Sequence, residues 1–139
     1  MSTPQPPDPA PGRPSILLVD DHAAGRVALA RMLTAHGFAV TDVEDGTSAF
    51  ALLRDGPPPD YLLTDLRLPD FDGREVISAA RLLHPTPRIA LMTGWDVDPD
   101  ERDRLGIDWV FLKPLDIGQI VANFREKAPH PADRRSEAG

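Results

Sequence analysis

The sequence predicts an α/β fold in which a doubly wound, five-stranded parallel sheet carries helices on both faces, a (βα)5 arrangement. Three observations predict it. Five short apolar runs recur along the 139-residue chain, each too short for a buried helix. The stretches between them repeat their apolar residues at helical spacing. Four of the runs lead directly into a polar residue able to carry chemistry: Asp20, Asp65, Thr93 and Lys113. In open parallel sheets, ligands sit beyond the C-terminal ends of the strands, where strand order reverses.

Each element follows from its residues. Ile16-Leu17-Leu18-Val19, between Pro14 and an acidic pair, reads as a fully buried strand. Over residues 23–36, Val27, Leu29, Ala30, Met32 and Leu33 recur at helical spacing, with Arg26 and Arg31 between them and Gly37 as the stop. Phe38-Ala39-Val40-Thr41-Asp42-Val43 alternates and suits a second strand. Residues 47–54 form a helical pattern that ends at Asp55-Gly56-Pro57-Pro58-Pro59. Tyr61-Leu62-Leu63-Thr64 is a third buried strand. The turn-rich Pro69-Asp70-Phe71-Asp72-Gly73 follows, and then a helix to about residue 84 with Val76, Ile77, Ala80 and Leu83 facing inward. Ile89-Ala90-Leu91-Met92 is the fourth strand. Asp98, Pro99 and Glu101 supply an N-cap, a first-turn proline and an acidic third position, and Gly106 ends that short helix. Trp109-Val110-Phe111-Leu112 is the fifth strand. Asp116 caps a last helix, Gln119 completes a capping box, and Ile117, Ile120, Val121 and Phe124 face inward.

Residues 15–128 therefore read as one domain, between a proline-rich tail over 1–14 and a polar tail over 129–139, both expected to be disordered. The chain has no cysteine, which excludes disulfides and thiolate metal sites. A net charge of -7 works against direct nucleic-acid binding and suits a protein that gathers carboxylates around a cation. No apolar run approaches the roughly 20 residues that span a bilayer. The N-terminus lacks a basic region followed by an apolar stretch, so no secretory signal is expected and the cytoplasm is the expected location.

The residues gathered at the strand ends define a chemistry. Asp20, Asp21 and Asp65, brought within a few ångströms of each other, repel and call for a hard divalent cation. Carboxylate oxygens and water match Mg²⁺. Asp65 can then act as a nucleophile toward a phosphorylated donor and form an acyl phosphate. Lys113 offers a cation and Thr93 a hydroxyl to the transferred group.

Over residues 15–127 these motifs resemble the receiver domains of bacterial two-component systems, including the single-domain chemotaxis type. Four motifs carry the likeness: Asp20-Asp21, the segment Thr64-Asp65-Leu66-Arg67-Leu68-Pro69-Asp70-Phe71-Asp72-Gly73, Thr93-Gly94 and Lys113-Pro114. Each alone is weak, and all four in order are specific. The resemblance implies a flavodoxin-like fold and a phosphorylation site at Asp65. It implies Mg²⁺ held by Asp20, Asp21, Asp65 and the backbone carbonyl of Arg67. Thr93 and Lys113 would hold the phosphoryl group, and the bond before Pro114 would be cis. A histidine kinase or histidine phosphotransfer protein would be the donor. Output would pass to an unknown protein through the fourth helix, fifth strand and fifth helix, from a monomer or weak dimer with no membrane contact.

The sequence also departs from that family. The aromatic often found three residues before the site lysine is Val110 here, flanked by Trp109 and Phe111. The stretch from Thr93 to Lys113 is shorter than usual by about two residues, and the loss falls in the fourth helix. Arg67 and Trp95 stand at the positions that tune how fast phosphate arrives and leaves, Arg67 by attracting an anionic donor and Trp95 by shielding the acyl phosphate. Other readings are a phosphorylation-independent interaction module with the same fold, and a Mg²⁺-dependent phosphohydrolase. The second is disfavoured because Arg67, not an aspartate, stands two residues after Asp65. Asp72-Gly73 reads as a turn and helix start, Met32 and Met92 as core, and Trp109 as partly buried. Asp42, Glu44 and Asp45 read as a solvated loop. The four histidines are too scattered to bind metal together.

Overall fold

The computed structural model describes residues 13–130. The proline-rich stretch and most of the polar C-terminal stretch thus lie outside the described residues. The elements alternate along the chain as β1 (Ser15–Val19), α1 (Ala23–Ala35), β2 (Ala39–Val43), α2 (Gly46–Asp55), β3 (Tyr61–Asp65), α3 (Gly73–Ala80), β4 (Arg88–Thr93), α4 (Pro99–Leu105), β5 (Trp109–Leu112) and α5 (Ile117–Glu126). The strands form one sheet in the order β2-β1-β3-β4-β5, and every pairing is parallel. The order reverses between β1 and β3, so the crevice for a ligand opens above those two strands.

The central strands β1, β3 and β4 are nearly continuous apolar runs because helices cover both of their faces. Alternate residues serve opposite layers. Ile16, Leu18, Tyr61, Leu63, Ala90, Met92 and Phe111 pack with Leu29 and Leu33 of α1 and Ile120, Val121 and Phe124 of α5. Leu17, Val19, Leu62, Ile89 and Leu91 pack with Ala49 and Leu53 of α2 and Val76, Ile77 and Ala80 of α3. The first layer holds an aromatic cluster in which Tyr61 stacks on Phe124 at 4.3 Å between centroids. The Tyr61 hydroxyl donates to the carbonyls of Phe124 (2.8 Å) and Lys127 (3.0 Å), which closes the end of α5 on the core. Burial pushes that hydroxyl up to about 12.

Several details differ from the sequence-based expectation. Met32 is 42% exposed and so is not core; α1 turns Leu29 and Leu33, four residues apart, toward the sheet and leaves Met32 and Val27 at its shoulder. Met92 is buried. Helix α3 ends at Ala80 rather than near residue 84, and the chain goes on in tighter turns, with the Leu82 N–H donating to the Ala79 carbonyl and the Leu83 N–H to the Ala80 carbonyl. Asp42 and Asp45 are not idle loop charges: Asp42 lies on β2 and pairs with Arg26 at 2.9 Å, and Asp45 caps α2 by accepting from Ser48 N–H. Asp98 caps α4, but Glu101 turns away from the capping box and pairs with Arg74 of α3 at 3.0 Å. Gly106 ends α4 at a φ of 69°, a left-handed conformation that glycine accepts without strain. Among the described residues, no helix is long and apolar enough to cross a membrane.

Candidate functional site

Two strands deliver the three acidic residues to one place. Asp20 and Asp21 leave the end of β1, and Asp65 is the last residue of β3. Each of the three offers a carboxylate oxygen, and these oxygens lie within 4.8 Å of one another. Asp65 and Asp20 are buried, whereas Asp21 faces solvent and opens the cluster to it. Asp20 is held from several sides. The His22 N–H donates to its Oδ1 at 2.9 Å, its own N–H donates to the Val43 carbonyl, and the Arg26 guanidinium donates to its carbonyl at 3.0 Å.

Lys113 follows β5, and its ammonium lies 2.7 Å from Asp65 Oδ1. Asp65 Oδ1 is buried, and the ammonium is the cation it meets. The backbone N–H of Lys113 donates to the Thr93 carbonyl at 2.9 Å, which ties the end of β5 to the end of β4. The Lys113–Pro114 bond is cis, as is His84–Pro85. Thr93 is buried, and its hydroxyl accepts from the Trp95 N–H at 3.2 Å, so its own proton is available to donate.

The electrostatics follow from this placement. Burial, and next the Asp20 carboxyl, push the Asp65 carboxyl up to about 7, against the pull of Lys113. One lysine does not balance three carboxylates. An all-oxygen donor set of three clustered carboxylates facing one lysine fits a hard divalent cation such as Mg²⁺ and fits soft metals poorly.

The other sequence-derived candidates fall in different places. Arg67 is exposed in the loop after Asp65, and that loop closes on itself through a bridge between Arg67 and Asp72. Trp95 is 71% exposed on the loop after β4. Val110 packs with the α2–α3 layer. Trp109 and Phe111 turn to the opposite face, against Phe124 at 5.0 and 6.2 Å, because side chains alternate along a strand. The two aromatics are therefore separated from the face that Val110 occupies and do not take its place. His22 caps α1 by accepting from Gly25 N–H through Nδ1.

Sequence reading missed three contributors. Arg26 sits in sequence as a polar residue between apolar ones, yet its side chain is only 14% exposed and braces both Asp20 and Asp42. Asp70 has the sequence setting of a turn residue, yet it binds the start of α2 across 24 positions. Gly73 marks a helix start, and it is also a spacer: a Cβ there would overlap the Asp65 carbonyl, so only glycine lets α3 begin so close to β3. The spacing of Arg26, five residues after Asp21, was the one signal available for the first of these.

Comparison with known proteins agrees with the fold. The family described as "Response regulator receiver domain" matches residues 16–125. The photosynthetic apparatus regulatory protein RegA of Rhodobacter capsulatus is 40% identical over 109 residues, covering 77% of this chain and 59% of RegA. The chain thus spans less than two thirds of that relative, and about half of several others. Sporulation initiation phosphotransferase F of Bacillus subtilis is 29% identical over 116 residues, covering 82% of this chain and 93% of that protein. A response regulator receiver protein from Pseudomonas putida superposes with a TM-score of 0.72 at 28% identity, over 83% of this chain and 98% of that one. A parallel sheet whose strand ends converge on an aspartate, together with a family match over most of its length, establishes that this chain belongs to the response regulator receiver domains.

Proposed function

We propose that this receiver domain accepts a phosphoryl group on Asp65 from a histidine kinase or histidine phosphotransfer protein, in a Mg²⁺-dependent reaction. The observation that carries the proposal is the state of Asp65 itself. It is buried, it is crowded by Asp20 and Asp21, and the single Lys113 ammonium that meets it does not balance the three carboxylates. A carboxylate in that setting is destabilised until further positive charge arrives.

The chain's own residues account for each step. An Asp65 carboxylate oxygen attacks the donor's phosphorus, the bond from phosphorus to the donor breaks, and the donor's nitrogen or oxygen leaves with the electron pair. Lys113, already paired with Asp65, is placed to meet the negative charge of the incoming group. The Thr93 hydroxyl can turn its proton toward a phosphoryl oxygen. Asp20, Asp21, Asp65 and the Arg67 carbonyl would hold Mg²⁺, which when bound supplies positive charge for the phosphoryl oxygens. Water attacking the same phosphorus later restores Asp65 and ends the signal. The domain would signal rather than turn over a substrate.

We further read the chain as a stand-alone regulator working in the cytoplasm as a monomer or weak dimer. The match over 93% of phosphotransferase F speaks for the first of these alone, beside relatives of which the chain spans about half. Output would pass through the face made by α4, β5 and α5 to a protein that the sequence does not name. Arg67 and Trp95 would tune the lifetime of the phosphoryl group from their exposed positions. Val110 favours a second reading, an interaction module that signals without phosphate, since it leaves no aromatic on its face of β5 to follow Thr93. Borohydride separates the two readings. Treatment after incubation with a phosphodonor should reduce an acyl phosphate at residue 65 to homoserine, detected by peptide mapping. Unchanged aspartate at that position would leave the second reading standing.

A further inference from the structure

The segment between Asp65 and Gly73 is fixed at both ends. At its far end the Gly73 N–H donates to the Leu66 carbonyl at 2.6 Å, and Arg67 bridges Asp72. In its middle, Asp70 reaches across to another helix. Its Oδ1 accepts from the Gly46 N–H at 2.8 Å. Its Oδ2 accepts from the Thr47 N–H at 2.9 Å and from the Thr47 hydroxyl at 2.6 Å. These donors, the Thr47 hydroxyl first, hold the Asp70 carboxyl down to about 2.

The N-terminus of α2 thus has two caps with different origins. Asp45, next to it in sequence, accepts from Ser48 N–H at 2.8 Å. Asp70, from the phosphoacceptor loop, satisfies the first two N–H groups, which a helix leaves unpaired. The neighbouring side chain adds an apolar anchor. Phe71 meets Phe50 edge to face at 4.8 Å and lies over Gly46, where a Cβ would stand 2.8 Å from the Phe71 ring. Asp70 itself is exposed, so its placement reflects these hydrogen bonds and not burial.

We propose that Asp70 is a positioning residue for the metal-binding half of the site: by gripping the start of α2 it fixes the loop that carries the Arg67 carbonyl, two residues after Asp65. The inference rests on the reading that Asp65 and the Arg67 carbonyl help to hold Mg²⁺. Groups that orient ligands in this way typically govern affinity by about 10- to 100-fold.

The paired caps make the inference testable. On the full chain, Asp70→Ala and Asp45→Ala each remove one cap from α2, but only the first releases the loop. Three readings are taken: the thermal midpoint in EDTA, amide hydrogen exchange at Gly73 in EDTA, and the Mg²⁺ dissociation constant from amide shifts of residues 65–73. Phosphorylation rates against Mg²⁺ concentration complete the set. Both variants are expected to lose comparable stability. Asp70→Ala alone should weaken Mg²⁺ binding about tenfold and speed exchange at Gly73, while saturating Mg²⁺ restores the wild-type maximal rate. Thr47→Val, which removes only the 2.6 Å hydroxyl contact, should weaken binding about threefold and serves if Asp70→Ala does not fold. Wild-type affinity in Asp70→Ala, or in Thr47→Val when that stands in for it, overturns the proposal, as does an equal loss in Asp45→Ala. A wild-type protein with no Mg²⁺-dependent shifts at residues 65–73 overturns the metal reading, and the positioning role with it.

Discussion

Replacing Asp65 by asparagine should stabilise the metal-free domain, although the change removes the residue at the centre of the site. Asp65 is 3% exposed, and its carboxyl is pushed from an ordinary 3.8 up to about 7 by burial and then by Asp20. The folded state therefore holds a proton that the unfolded chain releases near pH 4. Below about pH 4 both states are protonated and Asp65 has no effect on stability. As pH rises from about 4 to about 7, stability falls, because folding then opposes ionisation. Above about 7 the loss is complete. At about 1.4 kcal/mol for each tenfold change in proton affinity, the displacement sets a ceiling of about 4 kcal/mol. The exposed Asp21 opens the cluster to water, and screening brings the expected value down to about 1–2 kcal/mol. That corresponds to a rise of roughly 4–8 °C in Tm for a domain of this size. Lys113 loses its partner in the variant but remains 45% exposed and hydrated. Thermal melts of wild type and Asp65→Asn in EDTA, at pH 4 and pH 8, read the effect. The variant's advantage should appear at pH 8 and vanish at pH 4, and Mg²⁺ should narrow it by binding the wild type more tightly. An advantage independent of pH, or none at pH 8, would refute the account of Asp65 as a buried carboxylate that Lys113 compensates only in part.

Other perturbations have expected outcomes of their own. Lys113→Ala should slow phosphorylation by acetyl phosphate about 100-fold, since it removes the cation 2.7 Å from Asp65; a rate near wild type would take Lys113 out of the chemistry. Tyr61→Phe leaves two carbonyls at the end of α5 without their donor and should cost about 1–2 kcal/mol in urea denaturation, with an unchanged midpoint as the contrary result. Gly73→Ala drives a methyl group into the Asp65 carbonyl and should cost about 3 kcal/mol. Gly94→Ala, with open space around it, should stay within about 0.5 kcal/mol of wild type; similar losses in both would contradict the close approach of α3 to β3.

The fold was legible because its signals are local. Parallel strands covered on both faces must be short apolar runs, and Ile16-Leu17-Leu18-Val19 or Ile89-Ala90-Leu91-Met92 has few other uses. The gathering of Asp20, Asp65, Thr93 and Lys113 was legible for the same reason, since each ends or directly follows a strand and the topology brings strand ends together. What escaped depends on contacts between distant parts of the chain. Helical spacing made Met32 as good a core candidate as Leu29, and only the face that α1 packs against the sheet and α5 decides between them. Asp70 and Arg26 are charged residues in unremarkable positions, and their partners lie 6 to 24 residues away. Glu101 fitted a capping box by spacing, but a nearby guanidinium on α3 competes for its carboxylate. The period of two along β5 already placed Trp109 and Phe111 on the face opposite Val110, a consequence that follows from alternation alone.

The central claim is that Asp65 takes a phosphoryl group with Mg²⁺ present. Intact mass after incubation with acetyl phosphate, with and without Mg²⁺, for wild type and Asp65→Asn, tests it most directly. The account predicts an added phosphoryl group (about 80 Da) on the wild type only with Mg²⁺, and none on the variant. A wild type that stays unmodified at short reaction times, or a variant that gains the same mass, would contradict it.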